Sequence, residues 1–393
     1  MQKQTVHGIY TDAVVYTVDD PAIAVDKYAL SQIQLICDNK MSDGSIIRVM
    51  PDVHPGKVGP IGLTMTFGER VLPSLVGIDI GCGMSLVRLQ RPKLEYKKLD
   101  AVIRECIPSG FNIHPTPKSE FDFDAMFCGH HVRQERALCS LGTLGGGNHF
   151  IEIDCDPSNQ IYLMIHSGSR HLGKEVAEHY LREGQRVLRE NGISEPYETT
   201  WLEGELLNQY IHDVRIAQEF ARLNREIMIK TILKKMKWKA ADDIVTCCHN
   251  YIDATPGNLL ESTSCSHRYI LRKGAISAQL GEPVIIPIHM KDGVLLGRGK
   301  GNVSWNSSAP HGSGRLYKRE DVSHLWSVSD YKRSMEGIYS SCIGRSTLDE
   351  SPFCYRNCDM ILDAIDETVE LESILHPLYN YKDNTEAKHA DTN

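Results

Sequence analysis

The stretch "LGTLGGGNHFIEI", residues 141–153, separates two ways of building a glycine-rich site. Its glycine run offers consecutive backbone amides with little side-chain obstruction, which suits an anion or a nucleotide. It is not a Walker loop, because no Gly-Lys-Ser/Thr follows, and "FIEI" is typical of a strand, so the glycines do not open a helix in the dinucleotide-binding manner. The stretch therefore predicts a glycine turn that leads into a strand.

Outward from this stretch, short apolar runs alternate with longer amphipathic segments, which is the pattern of a mixed α/β or α+β protein. We predict strands for "SIIRVM", "SLVRLQ", "IYLMIH", "DDIVTCC" and "PVIIPI". We predict helices for "KEVAEHYLREGQRVLRE" and "LLNQYIHDVRIAQEFARLNREIMIKTILKKM", and for the first part of "DMILDAIDETVELESILHPL". Residues 383–393 are polar and acidic, and we expect them to form a flexible tail.

Composition limits the functional classes. The 393 residues are 41% hydrophobic and 24% charged, with a formal net charge of -8, which argues against a globally basic nucleic-acid binder but allows a local basic channel. The N-terminus "MQKQTVHGIY" lacks the apolar core of a cleavable signal, and no apolar run is long enough to span a membrane. We therefore expect a cytoplasmic protein whose twelve cysteines are core residues or metal ligands.

Glycine and histidine cluster at the ends of the predicted strands. Loops at strand ends are where rigid scaffolds carry chemistry, so loops of this kind in one chain predict one assembled site. The loops are "MPDVHPGKVGPIG", "GIDIGCGM", "LGTLGGGNHF", "IHSGSR", "CCHN", "RKGAISA" and "APHGSGR".

Five residues in these loops are candidate metal ligands: Asp79, Cys82, His149, His166 and His249. Taken singly, each also fits a structural role, as a buried cysteine or a hydrogen-bonded histidine. Together, one carboxylate, one thiolate and several imidazoles suit Mn²⁺, Fe²⁺, Co²⁺ or Zn²⁺ better than Ca²⁺ or Mg²⁺. Because one thiolate can bridge two ions, the set favours a two-metal site of the kind used in phosphoryl chemistry.

A further histidine, His311, stands in the small-residue stretch "NSSAPHGSGR". By itself this is a surface turn. Beside two metal ions and a phosphate-binding loop, however, its imidazole could act as a base, as a ligand or as a nucleophile toward phosphorus. Candidate phosphate partners nearby in the pattern are Arg170, Lys174, Arg272, Lys273, Lys300 and Arg315.

The motifs "GIDIGCGM", "LGTLGGGNHFIEI", "IHSGSR" and "HGSGR", in this order between "MPDVHPGKVGPIG" and "LYNYK", resemble those of the RtcB family of RNA ligases. The resemblance implies a single α/β (α+β) domain over residues 1–382, with a β-rich core around a central binuclear-metal cleft. It also implies that the protein joins RNA ends with a 2′,3′-cyclic phosphate or 3′-phosphate to 5′-hydroxyl ends. Family members do so with GTP and two Mn²⁺ ions, in RNA repair or tRNA splicing, and often with an archease-type activator.

The same resemblance implies roles for individual residues. His311 would be the nucleophile that takes GMP from GTP, with Asp52 and His54 near the reacting RNA ends. Asp79, Cys82 and His149 would hold one Mn²⁺ ion and His166 and His249 the other, with Cys82 bridging. The implied nucleotide contacts are Asn148, Glu152, Asn250, His289, Ser308, Gly312, Gly314 and Lys382, and the implied contacts to RNA phosphate are Arg170 and Arg315.

The chain departs from the family pattern in three places. "PIHMKDG" around His289 replaces a frequent Pro-Gly-Ser-Met-Gly, Ala309-Pro310 replaces a frequent Cys-Ser, and eleven residues follow Lys382. Two other functions stay open at this point: a metal-dependent phosphodiesterase or phosphatase that opens cyclic phosphates without joining ends, and an RNA-end-binding module with structural metals. A His311→Ala exchange separates them, since only the ligase would lose all activity.

Overall fold

The computed structural model describes residues 2–17, 24–254 and 268–384, and the strands and helices within them confirm the predicted α/β (α+β) class. The strands are β1 (Gln2–His7), β2 (Asp12–Thr17), β3 (Ile47–His54), β4 (Ile61–Phe67), β5 (Arg70–Val71), β6 (Gly83–Arg88), β7 (Phe150–Cys155), β8 (Ile161–Ser167), β9 (Leu202–Glu203), β10 (Val245–Cys248), β11 (Asn250–Ala254), β12 (Tyr269–Lys273), β13 (Ala275–Ser277), β14 (Pro283–Pro287), β15 (Val294–Gly299), β16 (Ser308–Pro310) and β17 (Val369–Tyr381). The α-helices are α1 (Lys27–Cys37), α2 (Tyr96–Cys106), α3 (Gln134–Ser140), α4 (Arg170–Glu190), α5 (Gly204–Met236), α6 (Val322–Leu325), α7 (Val328–Ser334) and α8 (Cys358–Ile365).

Two large sheets organise these strands. One has six strands in the order β1-β2-β3-β4-β12-β11, and the other has seven in the order β10-β6-β8-β7-β17-β15-β14. The seven-stranded sheet is antiparallel throughout. Strand β7, predicted from "FIEI", therefore lies inside this sheet, and the glycine run opens onto its edge.

All five predicted strands form, as β3, β6, β8, β10 and β14. Strand β3 continues four residues beyond "SIIRVM" to His54, and its register against β4 shifts between Val49 and His54. A proline, Pro51, interrupts this part of the strand; proline has no N–H to donate, so it is found at edges and bulges. Both long helices are confirmed, with α4 beginning at Arg170 and α5 at Gly204.

Helix α5 packs against the cores beneath both sheets. Its first half contributes Val214, Ala217 and Phe220 to the hydrophobic cluster of the six-stranded sheet, and its second half contributes Met228 and Ile232 to that of the seven-stranded sheet. Full burial of such a side chain is worth about 1.5–3 kcal/mol relative to exposure. Because α5 is shared by two cores, it fixes the loops that lie against it.

The chain leaves the site after β17. Asp383 accepts a hydrogen bond from the Ser109 hydroxyl at 3.1 Å, and the carbonyl of Asn384 accepts one from Ser346 at 3.3 Å. The rest of the predicted tail, from residue 385, lies outside the described residues. Across the described parts, none of the helices combines the length and apolar character needed to cross a bilayer.

Candidate metal and nucleotide site

The predicted ligands meet because the antiparallel register brings their strand ends together. His166, near the end of β8, pairs with Met84 on β6 and with Phe150 on β7. Cys82 and His149 immediately precede these two strands, so their side chains reach His166 from either side. His249 follows β10, and its backbone N–H donates to the carbonyl of Cys82 at 2.9 Å.

These residues form a continuous row. Cys82 Sγ lies 3.5 Å from His149 Nε2 and 3.3 Å from His166 Nε2. At one end, Asp79 Oδ2 lies 3.2 Å from His149 Nε2. At the other, His249 Nε2 lies 3.4 Å from His166 Nε2. The thiol is thus in the middle of the row, with a carboxylate and an imidazole on one side and two imidazoles on the other.

The donor set fits a metal cation. His149 Nδ1 lies 2.9 Å from the carbonyl of Leu144 and His166 Nδ1 lies 3.1 Å from that of Asn148, which places both protons on Nδ1 and leaves lone pairs on Nε2. Carbonyl partners of this kind orient histidine ligands in metal sites. The Cys82, His149 and His166 ligand atoms all lie within 4.8 Å of one another, and all three residues are buried. Lone pairs facing a carboxylate and a sulfur at such distances are favourable only with a shared proton or a cation between them.

Protonation of these groups follows their burial. Burial, reinforced by neighbouring imidazoles, lowers the pKa of His166 and His249 well below the ordinary value, so both are neutral, the form that binds metals. Burial and then the charge of Asp79 raise the pKa of the Cys82 thiol well above its ordinary value. For Asp79, burial opposes ionisation, but the hydrogen bond and charge of His149 outweigh it and lower the pKa. The thiolate therefore needs a cation beside it.

His311 continues the row toward solvent. Its ring centroid lies 4.9 Å from that of His249. Its Nδ1 lies 2.7 Å from Asp52 Oδ2, and its backbone N–H donates to the same oxygen at 3.2 Å. The Asp52 side chain is 0% exposed and that of His311 is 16% exposed, so the carboxylate is hidden while the imidazole remains accessible. His54 lies nearby, with Nδ1 at 3.1 Å from the Asp52 carbonyl.

A cavity of about 660 Å³ opens from His166 and His311. This volume is in the range of small-ligand sites. Most of the predicted nucleotide contacts line its wall, together with His54 and one predicted phosphate contact: Asn148, Glu152, His289, Gly312, Gly314, Lys382 and Arg315.

Three predicted residues lie elsewhere. The Asn250 amide donates to the Asp79 carbonyl at 3.3 Å and accepts from the Gly274 N–H at 3.0 Å, so it ties two loops together. Ser308 is fully buried, and its hydroxyl accepts from Arg272 Nε at 2.9 Å. Arg170 donates to the Gly110 carbonyl at 3.0 Å, beside the glycine run. The structure thus places these side chains behind the site; their roles as ligand contacts remain predictions.

The "PIHMKDG" departure forms part of the cavity wall. His289 Nδ1 accepts from the backbone N–H groups of Lys291 and Asp292, each at 3.2 Å. Its Nε2 lies 3.2 Å from Asp292 Oδ2, and this hydrogen bond lowers the pKa of Asp292. The loop therefore satisfies both nitrogens of His289 itself.

Glu350 is a site residue that sequence reasoning missed. Its carboxylate accepts from Lys382 Nζ at 2.9 Å and pairs with Arg315 at 3.3 Å and with Arg319. Burial opposes ionisation of Glu350, but these three cations outweigh it and lower its pKa. Its stretch "LDESPF" contains neither glycine nor histidine, so only the long-range contacts reveal it.

Asn380 was missed for the same reason; its amide donates to Glu152 inside the cavity. Burial raises the pKa of Glu152, although Asn380 and Lys382 oppose this. The wall around Glu152 and Lys382 is thus assembled by β7, β17 and a distant loop.

Taken together, the fold and the site define a mixed α/β protein with a buried histidine–cysteine metal centre beside a nucleotide-sized cavity. The family model for "tRNA-splicing ligase RtcB" matches residues 43–129 and 125–383 of this chain. The RNA-splicing ligase RtcB of Escherichia coli K12 is 31% identical over 361 residues, which cover 83% of this chain and 87% of that protein. The tRNA-splicing ligase RtcB of Pyrobaculum aerophilum is 25% identical over 403 residues (80% and 83%), and that of Nanoarchaeum equitans is 26% identical over 414 residues (81% and 84%). The chain belongs to the RtcB family.

Proposed function

We propose that this protein is an RNA ligase that joins 3′-phosphate or 2′,3′-cyclic phosphate ends to 5′-hydroxyl ends through a guanylylated His311. The observation that carries the proposal is the position of His311. It ends the row of metal-type ligands, lines the cavity and has a buried carboxylate on Nδ1. With the proton held on Nδ1, the lone pair of Nε2 is available for attack on phosphorus.

The reaction then has three transfers. His311 Nε2 bonds to the α-phosphorus of GTP as the bond to pyrophosphate breaks. An oxygen of the RNA 3′-phosphate next takes the guanylyl group, which breaks the N–P bond. Finally the 5′-hydroxyl attacks the RNA 3′-phosphorus and GMP leaves, so that a phosphodiester forms. The phosphate is a poor electrophile before it is capped, because it lacks a good leaving group.

Asp79, Cys82 and His149 on one side, and His166 and His249 on the other, would hold two Mn²⁺ ions, with Cys82 shared. Bound cations neutralise phosphate charge and stabilise the attacking and leaving oxygens. The ligand order along the row supports this division, since Cys82 lies between His149 and His166. Asp52 and His54 lie beside His311, where the RNA ends would react.

Guanine would bind between Glu152 and Lys382, and RNA phosphate near Arg315. These side chains line one cavity with His311. A GTP requirement, a role in RNA repair or tRNA splicing, and an archease-type activator belong to this proposal through the family. A cytoplasmic location is also proposed, and the free state of every cysteine in the described ranges is in keeping with it.

The test is the intact mass of the protein after incubation with GTP and Mn²⁺. We expect a gain of one GMP, about 345 Da by covalent chemistry, on the native protein and on a His376→Ala control, which changes an exposed histidine of β17. His311→Ala should gain nothing. A native protein that binds metal yet forms no adduct would refute the GTP-ligase proposal. If His311→Ala then still opened cyclic phosphates, the protein would be the phosphodiesterase instead.

A further inference from the structure

Helix α5 carries two consecutive polar residues, Asn224 and Arg225, in the interior of the protein. Both are 0% exposed. Side chains of this polarity are rarely buried completely unless they are fully hydrogen-bonded. Their partners are the loops that carry the metal-type ligands.

Asn224 holds the loop before His149 and the turn after His166. Its Oδ1 accepts from the N–H groups of Gly142 and Thr143 at 2.8 and 3.0 Å. Its Nδ2 donates to the Thr143 carbonyl at 3.1 Å and to the Gly168 carbonyl at 3.2 Å.

Arg225 holds the loop of Cys82 and the end of β8. Its Nη1 donates to the Gly81 carbonyl at 3.0 Å and to the Ser167 carbonyl at 2.8 Å. Its Nε donates to the Ser85 hydroxyl at 2.9 Å. Gly81 and Ser167 are the immediate neighbours of Cys82 and His166, so one guanidinium sets the distance between these two ligands.

The backbone of α5 also touches the Cys82 loop directly. A Cβ at Gly81, where φ is +73°, would lie 2.8 Å from Gln218 Cα and 3.0 Å from Ala221 Cβ. The loop therefore lies directly on the helix, and the glycine permits both the close approach and the left-handed backbone.

We propose that Asn224 and Arg225 are positioning residues for the metal centre, which set the spacing of Cys82, His149 and His166 through their loops. This inference rests on the proposed metal centre. Residues behind metal ligands orient them, and their loss typically weakens metal binding by about 10- to 100-fold. Neither side chain touches the ion or the substrate in this arrangement.

A matched control stands on the same helix. Asp213 is also 0% exposed, and it accepts the N–H groups of Phe127 and Cys128, each at 2.9 Å, and the hydroxyl of Tyr180 at 2.7 Å. It anchors a segment that carries none of the five ligands. Its substitution therefore reports the cost of a disturbed buried network alone.

The experiment titrates Co²⁺ into the native protein and three near-isosteric or conservative variants, and follows the thiolate-to-cobalt absorption band. Asn224→Asp keeps the acceptor but loses the amide donor, and Arg225→Lys cannot span its three acceptors. We expect both to raise the Kd for Co²⁺ by about 10- to 100-fold and to weaken the band. Asp213→Asn should lower the melting temperature yet keep the native Kd and spectrum.

The outcomes separate the two levels of the argument. A native protein without a cobalt band would contradict the proposed metal centre. A native band that Asn224→Asp and Arg225→Lys leave unchanged, while their melting temperatures fall as in Asp213→Asn, would overturn the positioning role alone.

Hydrogen exchange of the native protein decides the matter if the variants do not fold. We expect the amides of Gly142 and Thr143 to be protected as strongly as those of the α5 core, because Asn224 accepts from both. Exchange at the rate of an exposed loop would show that α5 does not hold this segment, and would overturn the inference.

Discussion

At the scale of single residues, the contact between Asp52 and His311 controls where the imidazole proton lies. A carboxylate can only accept, so it keeps the proton of the neutral ring on Nδ1. An amide at the same place could donate instead, which would favour Nδ1 as the acceptor and shift the proton to Nε2. The nucleophilic lone pair would then be lost.

Asp52→Asn should therefore slow guanylylation of His311 by on the order of 100-fold. The apparent KM for GTP should change little, because Asp52 lies behind His311 and does not line the cavity. The measurement is the rate of GMP adduct formation at several GTP concentrations. A rate within threefold of native, in a folded variant, would remove Asp52 from this role.

His54 contributes a pH dependence of stability. Burial lowers its pKa to about 4, against which the hydrogen bond to Asp52 acts weakly, whereas in the unfolded chain it is near 6.5. Between these values only the unfolded state binds the proton, so the free energy of unfolding falls as pH drops from about 6.5 toward 4. His54→Asn should reduce this slope, by at most about 1.4 kcal/mol per pH unit.

Urea denaturation of native protein and His54→Asn at several pH values across this window measures the difference. Parallel curves would show that His54 titrates alike in the folded and unfolded states.

At the scale of elements, the turn between β8 and α4 makes room for Asp79. A Cβ at Gly168 would lie 2.0 Å from Asp79 Oδ1, so only glycine lets the carboxylate lie against this turn. The turn thus shapes the outer end of the ligand row.

Gly168→Ala should displace the carboxylate, weaken Mn²⁺ binding at least tenfold and cost about 1–3 kcal/mol of stability. Gly344→Ala is the control, because a Cβ there meets no atom within 4 Å, and its effect should stay within about 0.5 kcal/mol. Calorimetric metal titration and urea denaturation test both changes. Equal metal affinity in the two variants would contradict this account of the turn.

The same scale shows what the sequence could predict. The ligand row was predictable because histidine, cysteine and aspartate stand beside glycines at strand ends, and five predicted strands and both long helices are confirmed. Asn224 and Arg225 were not, since polar residues in an amphipathic helix are expected to face water. Strand β17 was missed because Pro377 and a register shift break its alternation, and because its partners are remote in sequence.

At the scale of the whole molecule, the site joins the two sheets. Asp52 and His54 belong to β3 of the six-stranded sheet, while Cys82 and His166 belong to the edge formed by β6 and β8 of the other. A cation bound in the row would therefore stabilise the native state as a whole. Free metal at 100 times its Kd adds about 2.7 kcal/mol by mass action.

Removal of Mn²⁺ with a chelator should accordingly lower the melting temperature by several degrees, and added Mn²⁺ should restore it. Cys82→Ser should melt lower and gain much less from Mn²⁺, because the shared ligand is lost. Scanning calorimetry with and without the ion gives both values. An equal gain in native protein and Cys82→Ser would place the stabilising ion elsewhere.

The position of β17 has a consequence for synthesis. The last strand of the chain is inserted between β7 and β15, inside the seven-stranded sheet. While the ribosome is still making residues 369–381, those two neighbours present unpaired edges, which are prone to aggregate. Folding of this sheet must therefore wait for termination. A chain that ends early leaves it split, and such a fragment becomes a substrate for chaperones and proteases rather than a slower enzyme.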